Sequence, residues 1–227
     1  AAPVASSNSP VCSGQTLNLT ASTIVGATYN WTGPNSFTST LQNPSIPNVT
    51  LAAAGTYTVT VTVGGCTSPI ATTTVVINPT PVAPTVGSNS TLCVGQTLNL
   101  TASTVVGATY NWTGPNSFTS TLQNPSIPNV TLAAAGTYTV TVTLNGCTSL
   151  PATVVVVVNP IPAAPVASSN SPVCSGQTLN LTASTIVGAT YNWTGPNSFT
   201  SALQNPSIPN VTLAAAGTYT VTVTLNG

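Results

Sequence analysis

The sequence predicts an all-β chain made of antiparallel β-sandwiches that follow one another like beads on a string. Apolar and polar residues alternate with a period of two along several stretches, and no stretch has the apolar spacing of an amphipathic helix. The run CSGQTLNLTAS begins at Cys12, recurs from Cys174 and has a close variant from Cys93, a period of 81 residues (93 minus 12). Such a period indicates one domain per repeat.

The first repeat contains two clearly alternating segments. The stretch QTLNLTAS predicts a strand whose inner face carries Leu17, Leu19 and Ala21. The stretch TYTVTVTV predicts a longer strand. Its expected inward residues are Tyr57, Val59, Val61 and Val63, and its expected outward residues are Thr56, Thr58, Thr60 and Thr62. Between the two segments, ATYNW is a short strand that ends in the turn residues TGPN. Strands of this length with turns between them predict a two-sheet sandwich.

Proline and asparagine mark the ends of the repeats. The stretch SPIATTTVVINP predicts a closing strand that stops at Pro79, and the joins NPTPVAP and NPIPAAP predict semi-rigid spacers. We expect domains at residues 1–80, 81–161 and 162–227, the third without its last strand. Two interpretations of the third domain stay open. The chain is an excerpt of a longer array, or an open sheet edge accepts a strand from a neighbouring chain.

The chain contains no Lys, Arg, Asp, Glu or His, whereas an ordinary soluble protein is about 25% charged. General acid–base catalysis lacks its usual groups, and no base can activate a serine, so we expect no enzyme activity and no catalytic residue. We expect no metal site and no cofactor, because histidine and carboxylate ligands are absent. Without cations the chain cannot neutralise phosphates, so nucleic acid is not an expected partner. No apolar run reaches the length of a membrane span.

The cysteines recur with the repeats and predict disulfides. The spacing suggests the pairs Cys12–Cys66 and Cys93–Cys147, each within one repeat, and leaves Cys174 with a partner beyond the end of the sequence. The alternative is that all five are reduced and buried. Bridges at a fixed spacing favour an oxidising, extracellular location.

The run GQTLNLTAS…YNWTGP…NVTLAAAGTYTVTVT resembles the immunoglobulin-like and PKD-like repeats of large secreted bacterial surface proteins, such as adhesins and fibres. The resemblance covers the whole chain. It implies that Trp31, Trp112 and Trp193 are core tryptophans of the third strand. The stretch AAAGTY is similar to the corner motif of immunoglobulin domains, which implies that Tyr57, Tyr138 and Tyr219 are corner tyrosines.

The sequence departs from these families at two points. Val59 stands where an antibody domain has its second core cysteine, so the expected bridge connects the leading strand to the last hairpin instead of joining the sheets. Gly33, Pro34 and Asn35 replace the acidic turn of many PKD domains, so no calcium site is carried over.

Three surface features are candidates for function. The threonine row from Thr56 to Thr62 resembles the ladders of ice-binding proteins, although exposed strand positions generally favour threonine. A candidate sugar-stacking surface consists of Tyr29, Trp31, Asn35 and Phe37. The alternative is that the tryptophan packs in the core. Asn-x-Thr tripeptides are candidate glycan acceptors, although the same tripeptides also arise from strand alternation. These acceptors are Asn18, Asn30, Asn48, Asn89, Asn99, Asn111, Asn129, Asn180, Asn192 and Asn210.

The stretch TVVVVVN is uncharged and has high β-propensity, so it is a candidate self-association edge. Its residues are Val154, Val155, Val156, Val157 and Val158. Neutral surfaces also approach each other without long-range repulsion. The sequence therefore predicts a non-catalytic extracellular array, a fibre, stalk or adhesin shaft, that spans distance and partners with itself. The alternative is a carbohydrate-binding or ice-binding adhesive module, with surface glycans as partners.

Overall fold

The structure, a computed structural model, describes residues 1–225. It divides into two compact units, residues 1–158 and residues 159–227. The first unit contains two separate hydrophobic cores, one in each of the first two repeats, and the second unit contains the core of the third repeat. Its helices within residues 1–225 are 3-10 turns of three residues, and none is long and apolar enough to cross a membrane.

The first repeat consists of ten strands and one 3-10 turn at Leu51–Ala53. The strands are β1 (Ala5–Ser7), β2 (Val11–Cys12), β3 (Leu17–Ala21), β4 (Thr28–Gly33), β5 (Phe37–Ser39), β6 (Ser45–Ile46), β7 (Gly55–Val63), β8 (Cys66–Thr67), β9 (Ala71–Val75) and β10 (Ile77–Asn78). One sheet has the order β5-β4-β7-β8, with β9 also paired to β7, and the other has the order β1-β3-β6. The predicted all-β sandwich is confirmed.

Alternation places the predicted residues between the sheets. On β3, Leu17 and Leu19 are fully buried, and Trp31 on β4 is equally inaccessible. The indole Nε1 of Trp31 donates to the carbonyl oxygen of Gln42 at 3.2 Å, so this buried polar group is satisfied. The side-chain Nε2 of Gln42 in turn donates to the carbonyl oxygen of Ala21 at 2.8 Å. This hydrogen bond connects the loop after β5 to the end of β3.

Two details of the strand prediction were wrong. Val63 is 42% exposed, because it lies at the hairpin end of β7, opposite Cys66 and beyond the edge of the core. The closing strand is interrupted at Val76: β9 pairs antiparallel with β7, and β10 pairs parallel with β2. The closing segment therefore passes from one sheet to the other, and its Val75 and Ile77 both enter the core.

The second repeat has the same architecture, with a 3-10 turn at Leu132–Ala134. Its strands are β11 (Val86–Ser88), β12 (Leu92–Cys93), β13 (Leu98–Ala102), β14 (Thr109–Gly114), β15 (Phe118–Ser120), β16 (Ser126–Ile127), β17 (Gly136–Leu144), β18 (Cys147–Thr148), β19 (Ala152–Val156) and β20 (Val158–Asn159). The core again encloses a tryptophan, Trp112, together with Leu98 and Val130.

The third repeat has fewer strands among its described residues. They are β21 (Ala167–Ser169), β22 (Leu179–Ala183), β23 (Thr190–Gly195), β24 (Phe199–Ser201), β25 (Ser207–Ile208) and β26 (Thr220–Thr224), with 3-10 turns at Pro196–Ser198 and Leu213–Ala215. They form two three-stranded sheets, β21-β22-β25 and β24-β23-β26. Strand β26 starts at Thr220, whereas the equivalent strand of the first repeat, β7, starts at Gly55, which corresponds to Gly217. The first residues of β7, beginning with Gly55, are the ones that pair with β9.

Candidate functional site

The first candidate site is the junction between the first two repeats, where a disulfide joins Cys12 to Cys147. The predicted pairs Cys12–Cys66 and Cys93–Cys147 were therefore wrong. The bridge connects the leading strand of one repeat to the hairpin of the next, across a sequence separation of 135 residues. Cys66, Cys93 and Cys174 are exposed free thiols, so the alternative of five reduced and buried cysteines is also wrong.

The junction is held by more than the disulfide. Beside it, the side-chain Nδ2 of Asn78 on β10 donates to the backbone oxygen of Asn145, in the turn of the β17–β18 hairpin, at 2.8 Å. The sulfur of Cys147 lies 3.8 Å from the carbonyl oxygen of Asn78, and the sulfur of Cys12 lies 3.8 Å from that of Gly146. These sulfur contacts are van der Waals contacts, because a disulfide sulfur has no proton to donate.

Burial shows that the two repeats cover each other at the junction. Cys147 is 1% exposed, whereas its counterpart in the first repeat, Cys66, is exposed. Cys12 is half-buried, whereas its counterpart Cys93 is exposed. Cys66 therefore occupies the position in the first repeat that Cys147 occupies in the second, and Cys93 occupies the position in the second repeat that Cys12 occupies in the first. Both are exposed, unlike their bonded counterparts.

The second candidate site is a groove in the third repeat. A cavity of about 290 Å³ opens there, and its apolar lining includes Val173, Leu179, Leu181, Val211 and Tyr219. The corresponding residues of the first repeat belong to the same buried cluster as the closing-segment residues Val75 and Ile77. Tyr219 is half-buried, whereas the same tyrosine of the first repeat is 1% exposed. The groove thus has the position and chemistry of the site that a closing strand fills in the other two repeats.

The valine run of the second repeat is divided between core and surface. Val156 and Val158 are buried, and Val154 is half-buried. Val155 and Val157 are 64% and 46% exposed. Strand β19 pairs with β17, and the side chains of this run that are open to another molecule are those of Val155 and Val157.

The tyrosine corner has the geometry that the resemblance implied. The hydroxyl of Tyr57 donates to the carbonyl oxygen of Ala53 at 3.0 Å, and the Tyr138 hydroxyl donates in the same way to Ala134. Burial raises the pKa of both Tyr57 and Tyr138 above the ordinary value of 10.0, because the phenolate would lose its hydration. Phe37 packs edge-on against Tyr57 with ring centroids 5.5 Å apart.

The predicted aromatic surface does not form. Trp31 is fully buried and Tyr29 is 8% exposed, so neither ring face is open to a sugar. The Tyr29 hydroxyl donates to the carbonyl oxygen of Ser22 at 3.1 Å. Phe37 is half-buried, and Asn35 adopts a positive φ of 54° in the turn after β4. The four side chains therefore serve the core and the turn, and the hypothesis of sugar stacking on Trp31 was wrong.

The threonine row does form a polar outer face. Thr58 of β7 lies opposite Thr32 of β4 and Thr72 of β9, so the row continues across three strands. The hydroxyl oxygens of Thr32 and Thr58 are 2.7 Å apart, within hydrogen-bonding distance. Part of the hydroxyl capacity of this face is therefore used between neighbouring strands.

The candidate glycan acceptors all lie on exposed positions. Asn89 uses both ends of its amide: Oδ1 accepts from the backbone of Asn99 at 2.8 Å, and Nδ2 donates to the carbonyl of Thr97 at 2.9 Å. Asn18 accepts from the Ser45 hydroxyl through Oδ1. Glycosylation stays a prediction, and Asn89 is the acceptor whose modification would disturb local hydrogen bonds most directly. Within residues 1–225 there is no group of three metal-binding side chains.

Residues 81–160 match the family of the Ig-like domain described as CHU_C associated. Among curated proteins, none matches the sequence significantly.

The solved structures that resemble the chain include a marsupial T cell receptor, with 13% identity over 98% of this chain and 99% of that one and a TM-score of 0.44. Extracellular domains 3–5 of Drosophila OTK match with 14% identity over 95% and 89%, at a TM-score of 0.40. Murine CEACAM1b matches with 16% identity over 69% and 100%, at a TM-score of 0.41. The matched repeat shares its sequence and its strand order with the first repeat, and it shares its sequence with the third repeat. The chain is therefore a tandem array of immunoglobulin-like repeats.

Proposed function

We propose that the protein is a non-catalytic structural array of the extracellular space, a fibre, stalk or adhesin shaft that spans distance and associates with further copies of itself. The observation that carries this proposal is the covalent and hydrogen-bonded junction between the first two repeats. A disulfide between successive domains restricts their relative motion, as a shaft under tension requires. Disulfides also persist mainly in oxidising compartments, which supports an extracellular location.

The surface supports self-association. No residue carries a charged side chain, so approaching copies experience no long-range repulsion. Large apolar side chains are exposed at equivalent positions in each repeat, as for Val25, Val106 and Val187, which are 91%, 86% and 89% exposed. Exposed apolar side chains on a surface without charge favour association with further copies.

The test is assembly of the purified chain. We expect concentration-dependent oligomers in analytical ultracentrifugation and filaments or bundles in electron microscopy. Their extent should not decrease between low and moderate sodium chloride concentrations, because there are no charged side chains to screen. Antibody labelling of the producing cells should place the protein outside the cell. Two results together would contradict the proposal. The purified chain would stay monomeric at high concentration, and cells that lack the protein would attach to surfaces as well as cells that produce it.

Ice binding is the second candidate, and the threonine face across β4, β7 and β9 is the observation that favours it. Its test is thermal hysteresis of the intact chain, compared with a variant in which Thr58 and Thr60 are replaced by valine and lysine. Loss of hysteresis in the variant would favour ice binding. Absence of hysteresis in the unmodified chain would remove this candidate.

A further inference from the structure

The turn of the β17–β18 hairpin contains an Asn-Gly pair. Asn145 and Gly146 connect Leu144 to Cys147, which lie opposite each other in the two strands. Asparagine is a thermolabile residue, and it deamidates fastest before glycine, because glycine has no side chain to obstruct its own nitrogen. Asn145 and Gly146 are both exposed, so water reaches the side-chain amide. The other Asn-Gly pair of the sequence, at positions 226 and 227, lies outside the described residues.

The conformation of the turn opposes deamidation. Asn145 has a φ of 50° and Gly146 has a φ of 79°, which are the two positive values of a two-residue type I′ turn. The first central residue of such a turn has a ψ of about +30°, which places the Gly146 nitrogen and the Asn145 Cβ on opposite sides of the Cα–C bond. Attack of this nitrogen on the side-chain Cγ requires both on the same side. Deamidation therefore requires the turn to open.

The junction between the first two repeats restrains this turn at both ends. The side-chain Nδ2 of Asn78 donates to the backbone oxygen of Asn145 at 2.8 Å. The residue after Gly146 is Cys147, which is bonded to Cys12. Rotation about ψ of Asn145 moves its backbone oxygen away from Asn78, so the reactive conformation costs this hydrogen bond. The hydrogen bond and the bridge therefore both raise the free energy needed to open the turn.

We propose that Asn145 is a modification site that the intact junction protects, and that it deamidates to aspartate and isoaspartate when the Cys12–Cys147 bridge is opened. A small dithiol opens the bridge by exchange and leaves as its own cyclic disulfide. The Gly146 nitrogen then attacks Cγ of Asn145 and loses its proton. The bond from Cγ to the side-chain nitrogen breaks, and ammonia leaves with that proton. Water opens the resulting cyclic imide at either carbonyl group and gives aspartate or isoaspartate.

Both products alter the junction. Each places a negative charge beside the bridge, in a chain that otherwise has no charged side chain. Isoaspartate also adds a carbon to the main chain between Leu144 and Gly146, which displaces the backbone oxygen that accepts from Asn78. The junction of a modified chain is therefore less able to close again, whether or not the chain forms filaments.

The experiment ages the intact chain in warm, mildly alkaline buffer, with the bridge formed or opened by dithiothreitol. Chymotryptic digestion and mass spectrometry measure conversion of each asparagine from amide to acid, and isoaspartyl methyltransferase labels isoaspartate. The control in the same molecule is Asn116, an exposed residue with a φ of 54° that precedes Ser117. It follows the end of β14 that is remote from the β17–β18 hairpin. We expect faster conversion of Asn145 in the opened chain and unchanged conversion of Asn116, whereas equal conversion of Asn145 in both samples would overturn the inference.

Matched variants separate the junction from general loosening of the repeat. Asn78→Ala keeps the bridge but removes the donor to Asn145. It should speed conversion of Asn145 by about two- to tenfold, as expected for one hydrogen bond, without changing Asn116. Cys147→Ser should speed conversion of Asn145 without any reductant. If Asn116 also reacts faster in Cys147→Ser, the whole repeat has loosened, and Asn78→Ala decides: an unchanged rate at Asn145 in that variant would show that the junction does not protect it.

The effect on closing is measured by reoxidation. The unmodified chain is reduced, aged and reoxidised, and the fraction with the Cys12–Cys147 bridge is compared with that of a chain reoxidised at once. Asn145→Gly is the matched control, because it reproduces the Gly64–Gly65 turn of the first repeat and removes the reactive amide. We expect ageing to lower the bridged fraction of the unmodified chain and to leave that of Asn145→Gly unchanged. An equal decrease in both chains would show that deamidation does not hinder closing.

Discussion

The ring of Tyr57 lies directly against the backbone of Gly33, so that a Cβ at position 33 would overlap the ring atom Cδ1. The same close approach occurs between Gly114 and Tyr138 and between Gly195 and Tyr219. Glycine at the end of β4 is therefore what allows the corner tyrosine to enter the core and reach the 3-10 turn with its hydroxyl.

Gly33→Ala should destabilise the first repeat by about 1–3 kcal/mol, because an added methyl group in a filled site forces side chains or backbone to shift. Urea unfolding followed by tryptophan fluorescence measures the effect. The control is Thr38→Ala on the exposed face of β5, which should change the free energy of unfolding by no more than about 0.5 kcal/mol. Equal stability of the two variants would show that the tyrosine ring moves aside freely.

Removing the corner hydroxyl tests the hydrogen bond alone. Tyr138→Phe leaves the carbonyl oxygen of Ala134 without its partner and should cost about 1–3 kcal/mol. Tyr219→Phe removes the equivalent bond to Ala215, but Tyr219 is half-buried and water can replace the hydroxyl. We therefore expect a smaller loss for Tyr219→Phe in thermal or urea unfolding, and a larger loss there would contradict this explanation.

Stability should be independent of pH from about pH 4.5 to pH 7, since no side chain in the sequence titrates in that range. At high pH it should fall. Burial holds the pKa of Tyr57 and Tyr138 above that of an unfolded tyrosine, so the unfolded chain loses these protons first. The contribution is complete below about pH 10 and is lost as the pH rises through the raised pKa.

Urea titrations at a series of pH values measure this profile. A chain with Cys66, Cys93 and Cys174 replaced by serine avoids thiol chemistry at alkaline pH. In the Tyr57→Phe, Tyr138→Phe variant the alkaline decrease should be smaller. A maximum of stability near neutral pH in the serine variant would contradict the prediction.

Breaking the Cys12–Cys147 bridge should destabilise the first two repeats together. Loop-closure entropy for a separation of 135 residues gives an upper value of about 5 kcal/mol. Calorimetry of Cys147→Ser should show a lower melting temperature, and reduction of the unmodified chain should have the same effect. Cys93→Ser is the matched control and should melt like the unmodified chain.

The groove of the third repeat should bind a peptide with the sequence of residues 152–159, ATVVVVVN. The first repeat fills the equivalent site with two core residues, Val75 and Ile77, and their counterparts in the peptide are Val156 and Val158. Binding should bury Tyr219 and stabilise the third repeat in thermal unfolding. A peptide with threonine at these two valine positions should bind much more weakly, and equal binding of the two peptides would contradict the assignment of the groove.

The sequence allowed the fold to be predicted wherever the information was local. The alternation of Leu17 and Leu19 fixed the buried face of β3, and the tyrosine and tryptophan motifs placed their residues in the core. The errors at Val63 and Val76 arose at strand ends. There, alternation continues past the edge of the core or is broken when the chain passes to the second sheet.

The disulfide could not be predicted from spacing. Two cysteines 54 residues apart within a repeat (66 minus 12) are the simplest pair in a sequence, whereas the pairing in the structure depends on how the second repeat stacks against the first. That arrangement is set by contacts such as Asn78 with Asn145, which have no signature in the sequence of a single repeat.

The bridge also determines how the first two repeats respond to tension. A pulling force applied at the chain ends passes from Cys12 directly to Cys147, so the residues between them carry none of it while the bridge is intact. The 135-residue separation corresponds to roughly 450 Å of extended chain. Oxidation therefore makes this segment nearly inextensible, and reduction releases a length that can absorb mechanical work before the polypeptide is fully stretched.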